Sequence, residues 1–438
     1  MLYSIKISTR YTDKTTEVSY DLPAIRTADG ILVSHLRYLA WHSGKSESWR
    51  ERSTFSVRLL IDYVESRGPV SNATETLRAF TEALVSGTTN PATGDDPLQL
   101  FWKPRRLDDA ENILFLITHY TDFLASQEGH DALRVNPFRK ATGWEERLNW
   151  CAYYHKHANV FLNHLSSRTE AARKAAQQRL IQTPISMLVR NDKSDKFPES
   201  HLAQLLYEGF ETPKGIDYRS IAQTMLLNFG GLRKSERFHI YTSDIQADPN
   251  RPDEALVRVY HPEYGRSPHP GYKTRKEFLN AETAYKPRNQ YRLSQRLHAG
   301  WKSPLMTSRD GYFDIIFNPP SKASEFLEVW IKYLTLQRPS QAESHPFAFS
   351  NDNGLPDTVK NFQRRHRNAV ERIGLECSKE LGTTEHGHRH AYGYRAHQCA
   401  LSPAEIQKAM HHKSPNSCLV YINPTNEDVR QAMRKFES

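Results

Sequence analysis

The spacing of apolar residues changes along the chain and separates regions of different predicted structure. Residues 1–24 alternate polar and apolar positions, as at Ile5, Ile7 and Tyr20, which predicts a small strand pair or an arm. From about residue 28 to residue 165, apolar residues recur three and four positions apart, which is the period of a helix. We therefore predict an α-helical domain over residues 25–175.

Four helices are predicted in this domain from their apolar stripes and their end signals. The first is expected to begin after the cap residues Ser53 and Thr54 and to end at Gly68-Pro69. The third is expected over residues 108–126. The apolar positions of the four helices are, in order, Phe55, Leu59, Leu60, Tyr63 and Val64; Leu77, Phe80, Leu84 and Val85; Ile113, Leu114, Ile117, Tyr120, Phe123 and Leu124; and Tyr153, Val160, Phe161 and Leu165.

The second half of the chain mixes helical segments with short runs of strand-forming residues. Helices are predicted over residues 218–229, 323–336, 358–373 and 403–412, and strands over residues 238–241, 255–261 and 312–317. Residues 166–196 are rich in Arg, Lys, Gln and Ser and are interpreted as a linker, with a domain boundary near 175–190. The expected fold class is mainly α with a small antiparallel β-sheet.

Charge and composition narrow the class of protein. With 59 Lys and Arg against 50 Asp and Glu, the chain carries a net charge of +9, which favours a polyanionic partner. No apolar run approaches the roughly 20 residues that span a bilayer, and the N-terminus lacks an apolar secretion signal. The four cysteines are scattered and form no CxxC pair, which excludes a disulfide-stapled scaffold and suits a reducing cytoplasm. We expect a globular, cytoplasmic protein that contacts no membrane.

Three short segments of the second half combine arginine, histidine and tyrosine. The first is GGLRKSE at residues 230–236, which contains Arg233; the second is HGHRH at residues 386–390; the third is HHKS at residues 411–414, followed by Tyr421. Taken singly each is ordinary, because an arginine after a helix end is usually solvated and a lone tyrosine usually packs in a core. The histidines of the second segment alternate as zinc ligands could, but no fourth ligand stands at a familiar spacing.

In series, these segments resemble the motifs of the tyrosine recombinase (phage integrase) family of site-specific DNA recombinases. The matching phrases are Arg233 after Gly-Gly-Leu, His386-x-x-Arg389, and His412-Lys-Ser with Tyr421 nine residues after the histidine. The resemblance implies that these five residues are catalytic. It also implies that the reaction needs no metal and no cofactor.

The resemblance implies a domain organisation and a set of partners. Residues 185–438 would form the integrase-like catalytic domain, and residues 25–175 resemble the family's core-binding, DNA-binding domain in general character. The protein would cleave and rejoin double-stranded DNA through a covalent 3′-phosphotyrosine intermediate, and so integrate or excise a mobile element. It would act as a homotetramer on paired DNA sites at the nucleoid, with accessory proteins as further partners.

The residue types suit this chemistry. Tyr421 would hold the phosphate covalently while the 5′-hydroxyl leaves, so that the energy of the phosphodiester bond is conserved. Arg233 and Arg389 carry planar guanidinium groups, which match the non-bridging oxygens of the transition state better than ammonium groups do. His386 and His412 would donate hydrogen bonds to the same phosphate, and His386 would also be able to accept the proton of Tyr421.

The resemblance further implies a lysine that protonates the leaving oxygen. Lys302 lies closest before the strand predicted at residues 312–317, and we assign it this role. Lys286 and Lys273, within an insertion over about 262–300, are the alternatives. Lysines of this region that do not take the role are expected to contact DNA phosphates.

Three further expectations concern the surroundings of these residues. The family usually has Gly-His where this chain has His411-His412, so the close packing at that point is expected to differ. Glu236 and Asp244 are expected to anchor the surroundings of Arg233 by hydrogen bonding. The helix predicted at residues 403–412 opens with a capping-box spacing and is expected to hold His412 in place.

Two other functions stay open at this point. A type IB topoisomerase-like enzyme shares the Arg, Lys, His and Tyr chemistry, but it relaxes any supercoiled duplex as a monomer. A catalytically silent DNA-binding protein could use the same fold, although DNA binding by itself would not require all five matching residues.

Overall fold

The chain forms two compact units, which are visible in a computed structural model. The structure describes residues 3–13, 16–68, 72–127, 134–157, 168–183, 196–414, 417, 430, 433 and 434. The N-terminal unit is Met1–Val189 and the C-terminal unit is Arg190–Ser438. Both consist mainly of helices with small antiparallel sheets, which confirms the predicted fold class. Among the helices of the described ranges, none combines the length and the apolar character that crossing a membrane requires.

The N-terminal unit contains six helices and five strands within its described residues. In chain order they are β1 (Ile5–Thr12), β2 (Ser19–Thr27), β3 (Gly30–Ile31), α1 (Val33–Trp41), α2 (Glu47–Arg67), α3 (Ala73–Ser86), α4 (Leu107–Ala125), β4 (Phe138–Lys140), α5 (Gly143–His157), α6 (Arg168–Ala175) and β5 (Gln177–Arg179). The predicted N-terminal strand pair is confirmed as β1 and β2, which pair antiparallel from Ile5 opposite Arg26 to Thr12 opposite Ser19.

The helices predicted in this unit are confirmed for the first three. They correspond to α2, α3 and α4, whose apolar stripes form a core around Tyr63, Phe80 and Ile117. Tyr153 of the fourth predicted helix lies in α5, whereas its positions 160, 161 and 165 are outside the described residues. Helix α1 was not predicted; it packs on β2 around Leu22 and Ile25 in a second core.

The predicted start of α2 is wrong. The helix begins at Glu47, where the Ser46 side chain accepts a hydrogen bond from the Trp49 backbone N–H. Ser53 and Thr54 are buried inside the helix instead of capping it. Both hydroxyls are satisfied there, because Thr54 Oγ1 donates to the carbonyl of the preceding turn (2.9 Å) and Ser53 Oγ lies 3.1 Å from a buried histidine nitrogen.

The C-terminal unit contains the remaining elements. In chain order they are α7 (Leu202–Gln204), β6 (Glu211–Thr212), β7 (Gly215–Ile216), α8 (Tyr218–Asn228), β8 (Ile245–Asp248), β9 (Arg251–Tyr260), α9 (Arg275–Glu282), β10 (Tyr312–Asp314), α10 (Lys322–Lys332), α11 (Val359–Arg372), α12 (Glu385–Gln398) and α13 (Pro403–Ala409). Strands β8, β9 and β10 form an antiparallel sheet with β9 in the centre. The predicted helices of this half are confirmed as α8, α10, α11 and α13, and two of the predicted strands as β9 and β10.

One predicted strand, over residues 238–241, is wrong. Glu236–His239 is a 3-10 turn, closed by hydrogen bonds from Glu236 N to Arg233 O and from Phe238 N to Ser235 O. The Glu236 carboxylate accepts hydrogen bonds from the backbone and side chain of Arg233, three residues earlier, and these bonds close the turn. The apolar residues of this segment therefore pack on the core from a turn and not from a strand. The strand that does form, β8, begins a few residues later at Ile245.

Helix α8 lies at the centre of the C-terminal unit and positions the segment that follows it. Every residue of α8 from Arg219 to Asn228 is buried, and the helix packs on α10, α11 and α12. Its last turn is followed by Gly230 and Gly231, which leads directly into Arg233. The first motif segment therefore follows directly from a helix that is buried over almost its whole length.

Candidate active site

Arg233 leaves the end of α8 through a sharp turn that requires glycine. Gly231 has a φ of 64°, and a Cβ atom at this position would lie 2.7 Å from the ring of Tyr392. The Arg233 backbone N–H and Nη1 donate to the two carboxylate oxygens of Glu236, at 2.7 and 2.6 Å. Glu236 therefore anchors Arg233 as expected, and it is itself almost completely buried.

Asp244 anchors the segment that follows Arg233, although it makes no hydrogen bond to Arg233 itself in the described part of the chain. It is buried and forms a two-pronged ion pair with Arg275 at the start of α9, with Asp244 Oδ2 2.9 Å from Nη1. It also accepts a hydrogen bond from the Tyr241 backbone N–H at 2.7 Å. Asp244 thus fastens the insertion between β9 and β10 to the core of the unit, and the sequence offered no sign of this pairing.

Arg389 lies in the first turns of α12 and is almost completely buried. Its guanidinium donates from Nη1 to the carbonyl of Gly231 and from Nη2 to the carbonyl of Met410 (2.8 Å). Nη2 also lies 2.7 Å from His412 Nε2. Arg389 therefore connects the ends of α8 and α13, and brings the second motif segment into contact with the first and the third.

His412 follows α13, which begins with the expected capping box between Ser402 and Glu405. Because a guanidinium can donate but cannot accept, His412 Nε2 must accept from Arg389, which leaves the ring proton on Nδ1. Burial, and then the positive charges of Arg389 and Arg233, lower the pKa of His412 to about 3. The ring is therefore neutral at physiological pH.

His411 shows how this chain differs at the Gly-His position. Its φ of 53° lies in the left-handed region that glycine prefers. Helix α13 ends at Ala409, three residues before the predicted limit of 412. The buried ring of His411 stacks on Phe313 of β10, with ring centroids 3.7 Å apart. Burial, and then the charges of Arg389 and Arg233, hold the pKa of His411 well below its ordinary value.

His386 sits at the exposed start of α12, one turn before Arg389. Its ring meets that of His390 edge to face, with centroids 4.6 Å apart. Partial desolvation, and then the charges of His390, Arg389, Lys302 and Lys234, lower its pKa. A neutral His386 is able to accept a proton, and the charges of two lysines, Lys302 and Lys234, act on it together with those of Arg389 and His390.

Of the three candidate lysines, Lys302 is the one whose charge acts on His386 in this way. Lys302 is exposed, in the loop that leads to β10. The ring of the neighbouring Trp301 packs against the rings of His239 and His261, with centroids 5.2 and 5.5 Å apart. Lys286 lies elsewhere in the insertion, with its ammonium 4.8 Å from the centre of a tyrosine ring. Lys273 is exposed before α9, where its backbone N–H bonds to a glutamate of that helix.

Tyr421 lies outside the described residues. Two tyrosines that follow Arg389 in α12 are described, and neither is arranged as a nucleophile. Tyr392 is buried, its hydroxyl donates to the carbonyl of Ile316 at 2.8 Å, and burial raises its pKa. Tyr394 is half-buried, with the ammonium of Lys196 3.0 Å from the centre of its ring.

His388, which alternates with His386 and His390, faces the core instead of the site. Its Nε2 lies 2.8 Å from His366 Nε2, and its Nδ1 accepts from the Asn228 amide at 3.1 Å. Both His388 and His366 have lowered pKa values because they are buried. In the part of the chain that the structure describes, no group of three or more His, Cys, Asp or Glu side chains is placed to hold a metal ion.

Comparisons with known proteins give likenesses in structure but not in sequence. No protein-family model matches the chain, and no curated protein matches its sequence. Among solved structures, it is similar to XerA recombinase (14% identity, 93% of this chain and 99% of that one, TM-score 0.37). It is also similar to the Tn1549 transposon integrase in complex with transposon right end DNA (15%, 87% and 99%, 0.36). A third is a lambda integrase dimer bound to a core site (12%, 90% and 96%, 0.45).

These structures are recombinases and integrases, the class that the motifs of this chain resemble. At these identities and with TM-scores below 0.5, the likenesses do not establish that this chain belongs to the class.

The site concentrates positive charge on a small region of the C-terminal unit. Arg233 and Arg389 both act on His412, while Arg389, Lys302 and Lys234 act on His386. Such a group of guanidinium and ammonium donors suits a phosphate diester. Sequence reasoning gave Lys234 no role, although it directly follows Arg233, and it expected altered packing at His411 without the stacking on Phe313.

Proposed function

We propose that this protein is a site-specific DNA recombinase of the tyrosine recombinase type, which integrates or excises a mobile element. The observation that supports the proposal is the convergence of Arg233, Arg389 and His412 from three separate segments, with His386 and Lys302 beside them. Packing alone does not require arginine and histidine side chains from three separate segments to meet, with the charge of the exposed Lys302 acting on one of them.

The proposed reaction exchanges one phosphoester bond for another. The oxygen of Tyr421 attacks the scissile phosphorus and its proton passes to a base, for which neutral His386 is suited. A new bond forms between this oxygen and phosphorus, while the bond from phosphorus to the 5′ oxygen breaks. The 5′ oxygen takes a proton from Lys302 and leaves as a hydroxyl, and the 3′ phosphate stays on the tyrosine. Attack by another 5′-hydroxyl reverses these steps and rejoins DNA.

The arginines would stabilise the charge that develops on the non-bridging oxygens. In the DNA-free protein, Arg389 is held by His412 and by two backbone carbonyls, so its guanidinium is already oriented before a phosphate arrives. Arg233 is held by Glu236 and is partly exposed, which leaves it accessible to a ligand. A bound phosphate would also favour the protonated form of His412, because its negative charge opposes the field of the two arginines.

The rest of the molecule would serve DNA binding. We propose that residues 25–175 form the core-binding domain and residues 185–438 the catalytic domain, with residues 1–24 as an N-terminal strand segment. The net charge of +9 suits a duplex partner. A homotetramer on paired sites, accessory proteins and a place at the nucleoid in the cytoplasm complete the proposal.

A covalent adduct is the direct test. The protein is incubated with duplexes from the ends of its own element, denatured, and examined for protein that migrates with DNA. The wild-type protein should form an adduct, and Tyr421→Phe should form none while it binds the duplex equally well. Tyr394→Phe, which removes a hydroxyl from the same unit, is the matched control and should behave as wild type.

The outcome also separates the alternatives. Attachment of the DNA to Tyr392 or Tyr394 in peptide mapping would refute the assignment of the nucleophile. Relaxation of any supercoiled plasmid without exchange between sites would favour the topoisomerase-like enzyme. Specific binding with no adduct on any element end would favour a silent DNA-binding protein.

A further inference from the structure

His411 is a buried residue in an unfavourable backbone conformation, and the proposed reaction gives it no role. Its φ of 53° is in the left-handed region, which is unfavourable for a residue other than glycine. Within the part of the chain that the structure describes, neither of its two ring nitrogens has a hydrogen-bond partner, although the side chain is almost completely buried. Local preference and polar burial therefore both oppose a histidine here.

The contacts of His411 join three parts of the site. Its ring stacks on Phe313 of β10, with the ring planes 24° apart. Its backbone carbonyl accepts from the Leu305 N–H at 3.1 Å, and its backbone N–H donates to the carbonyl of Lys408 in α13 at 3.2 Å. The following residue, His412, contacts Arg389.

Leu305 belongs to the loop over residues 299–307, which also carries Lys302. The loop leads to β10. Ala299 at its start is buried, and Ser303 has a left-handed backbone conformation with a φ of 45°. Within the described residues, one backbone hydrogen bond joins the part of the loop between Trp301 and β10 to the segment that leads into the Arg389–His412 pair. It runs from the Leu305 N–H to the His411 carbonyl. The ends of the loop are held by bonds from Ala299 N–H to the Arg288 carbonyl and from Thr307 N–H to the Tyr312 carbonyl, and its middle is tied to the cluster through the segment that contains His411.

We propose that His411 is a positioning residue: by stacking on Phe313 it holds the loop over residues 299–307, and with it Lys302, against the Arg389–His412 pair. The ring fixes the carbonyl that Leu305 bonds to, and β10 supplies the rigid surface. The chemical consequence rests on the proposed function: protonation of the leaving oxygen by Lys302 would depend on the His411 ring, while His411 touches no reacting atom.

The test replaces the ring and keeps the backbone. His411→Gly suits the left-handed φ, so the unit should fold, and its carbonyl can still accept from Leu305. Loss of one aromatic pair should speed hydrogen exchange in the 299–307 peptide roughly tenfold. Cleavage of ordinary DNA should fall about 100-fold, because a small misplacement of a catalytic group has that effect. A substrate with sulfur in place of the 5′ leaving oxygen needs little protonation and should restore cleavage nearly to the wild-type rate.

Ala400→Gly is the matched control, because Ala400 has a φ of 56° in the same unit but is exposed. It should change neither hydrogen exchange in the 299–307 peptide nor cleavage. His411→Asn tolerates the left-handed conformation without a ring and should reproduce the effects of His411→Gly if the latter variant does not fold.

Three results would overturn the proposal. The first is that hydrogen exchange in the 299–307 peptide is unchanged in both His411 variants. The second is that these variants cleave DNA at the wild-type rate. The third is that their cleavage of the oxygen and sulfur substrates falls by the same factor. Failure of the wild-type protein to form an adduct would instead refute the proposed function. In that case the exchange measurement still decides whether His411 holds the loop.

Discussion

Replacement of Arg233 and of Arg389 by lysine should show that the two arginines contribute differently to the stability of the C-terminal unit. Both Arg389→Lys and Arg233→Lys keep a positive charge and lose the planar fork of donors. The structure predicts that they differ in stability, because Arg389 is almost completely buried whereas the Arg233 side chain is 20% exposed. Arg389 also connects the ends of two helices, while Arg233 contacts Glu236 three residues away.

The expected size of the difference follows from the hydrogen bonds. A lysine at position 389 cannot reach the carbonyls of Gly231 and Met410 together, since its donors radiate from one nitrogen. A buried carbonyl left without a donor costs about 1–3 kcal/mol, so a lysine that serves only one of the two carbonyls would destabilise the unit by about that amount. A lysine at position 233 can still pair with Glu236, and the change should cost less than about 1 kcal/mol.

Urea unfolding measures the free energy of unfolding of the two variants, and the yield of covalent protein–DNA adduct measures their cleavage activity. We expect both variants to lose about 100-fold or more of cleavage, by analogy with the loss of one oxyanion donor, with DNA binding retained at temperatures where they are folded. Equal stability of the two variants would refute the structural part assigned to Arg389. Near-normal cleavage by both would show that neither guanidinium contacts the scissile phosphate.

Three further predictions concern the leaving group, the histidines and the DNA. Lys302→Ala should lose cleavage of ordinary DNA and regain it on the 5′-sulfur substrate; rescue of Lys286→Ala or Lys273→Ala instead would move the general acid into the insertion. The buried histidines have folded-state pKa values near 3 to 4, below the 6.5 of the unfolded chain, so the unfolded state binds more protons in acid. The C-terminal unit should therefore lose stability as the pH falls from 6.5 towards 4, and a melting temperature that is constant over this range would contradict the assignment of neutral rings. Affinity for duplex DNA should fall steeply as salt rises, and salt-independent binding in a filter or anisotropy assay would remove the electrostatic basis of the proposal.

Much of the secondary structure could be predicted because it depends on short-range patterns. The apolar period predicted α2, α3 and α4, and the glycines after residue 229 predicted where α8 ends. Strands β9 and β10 followed from runs of β-forming residues. These features are decided within a few turns of chain, where side chains three or four positions apart share one face.

The sequence-based predictions were wrong or incomplete where the partner of a residue is distant in sequence, or where a residue type fits two different local structures. Ser53 and Thr54 look like a cap, but their hydroxyls are satisfied inside α2. Asp244 anchors the segment that follows Arg233, but the buried partner that its charge requires is Arg275, in an insertion. Local preference cannot anticipate such pairings, since burial and the choice of ion-pair partner depend on the closed fold.

The candidate residues of the site could be named from the sequence, because the order of arginines, histidines and tyrosine resembles a family motif. The sequence by itself thus determined the helical character of the chain, its positive charge and the side-chain chemistry available to it. Only the tertiary structure decided that Arg389 joins the carbonyls of Gly231 and Met410 to His412, that His388 faces the core, and that His411 stacks on β10. The reason is physical: residue type sets which bonds a group can form, whereas packing of helices and strands remote in sequence sets which groups are within reach and which of them lose their water.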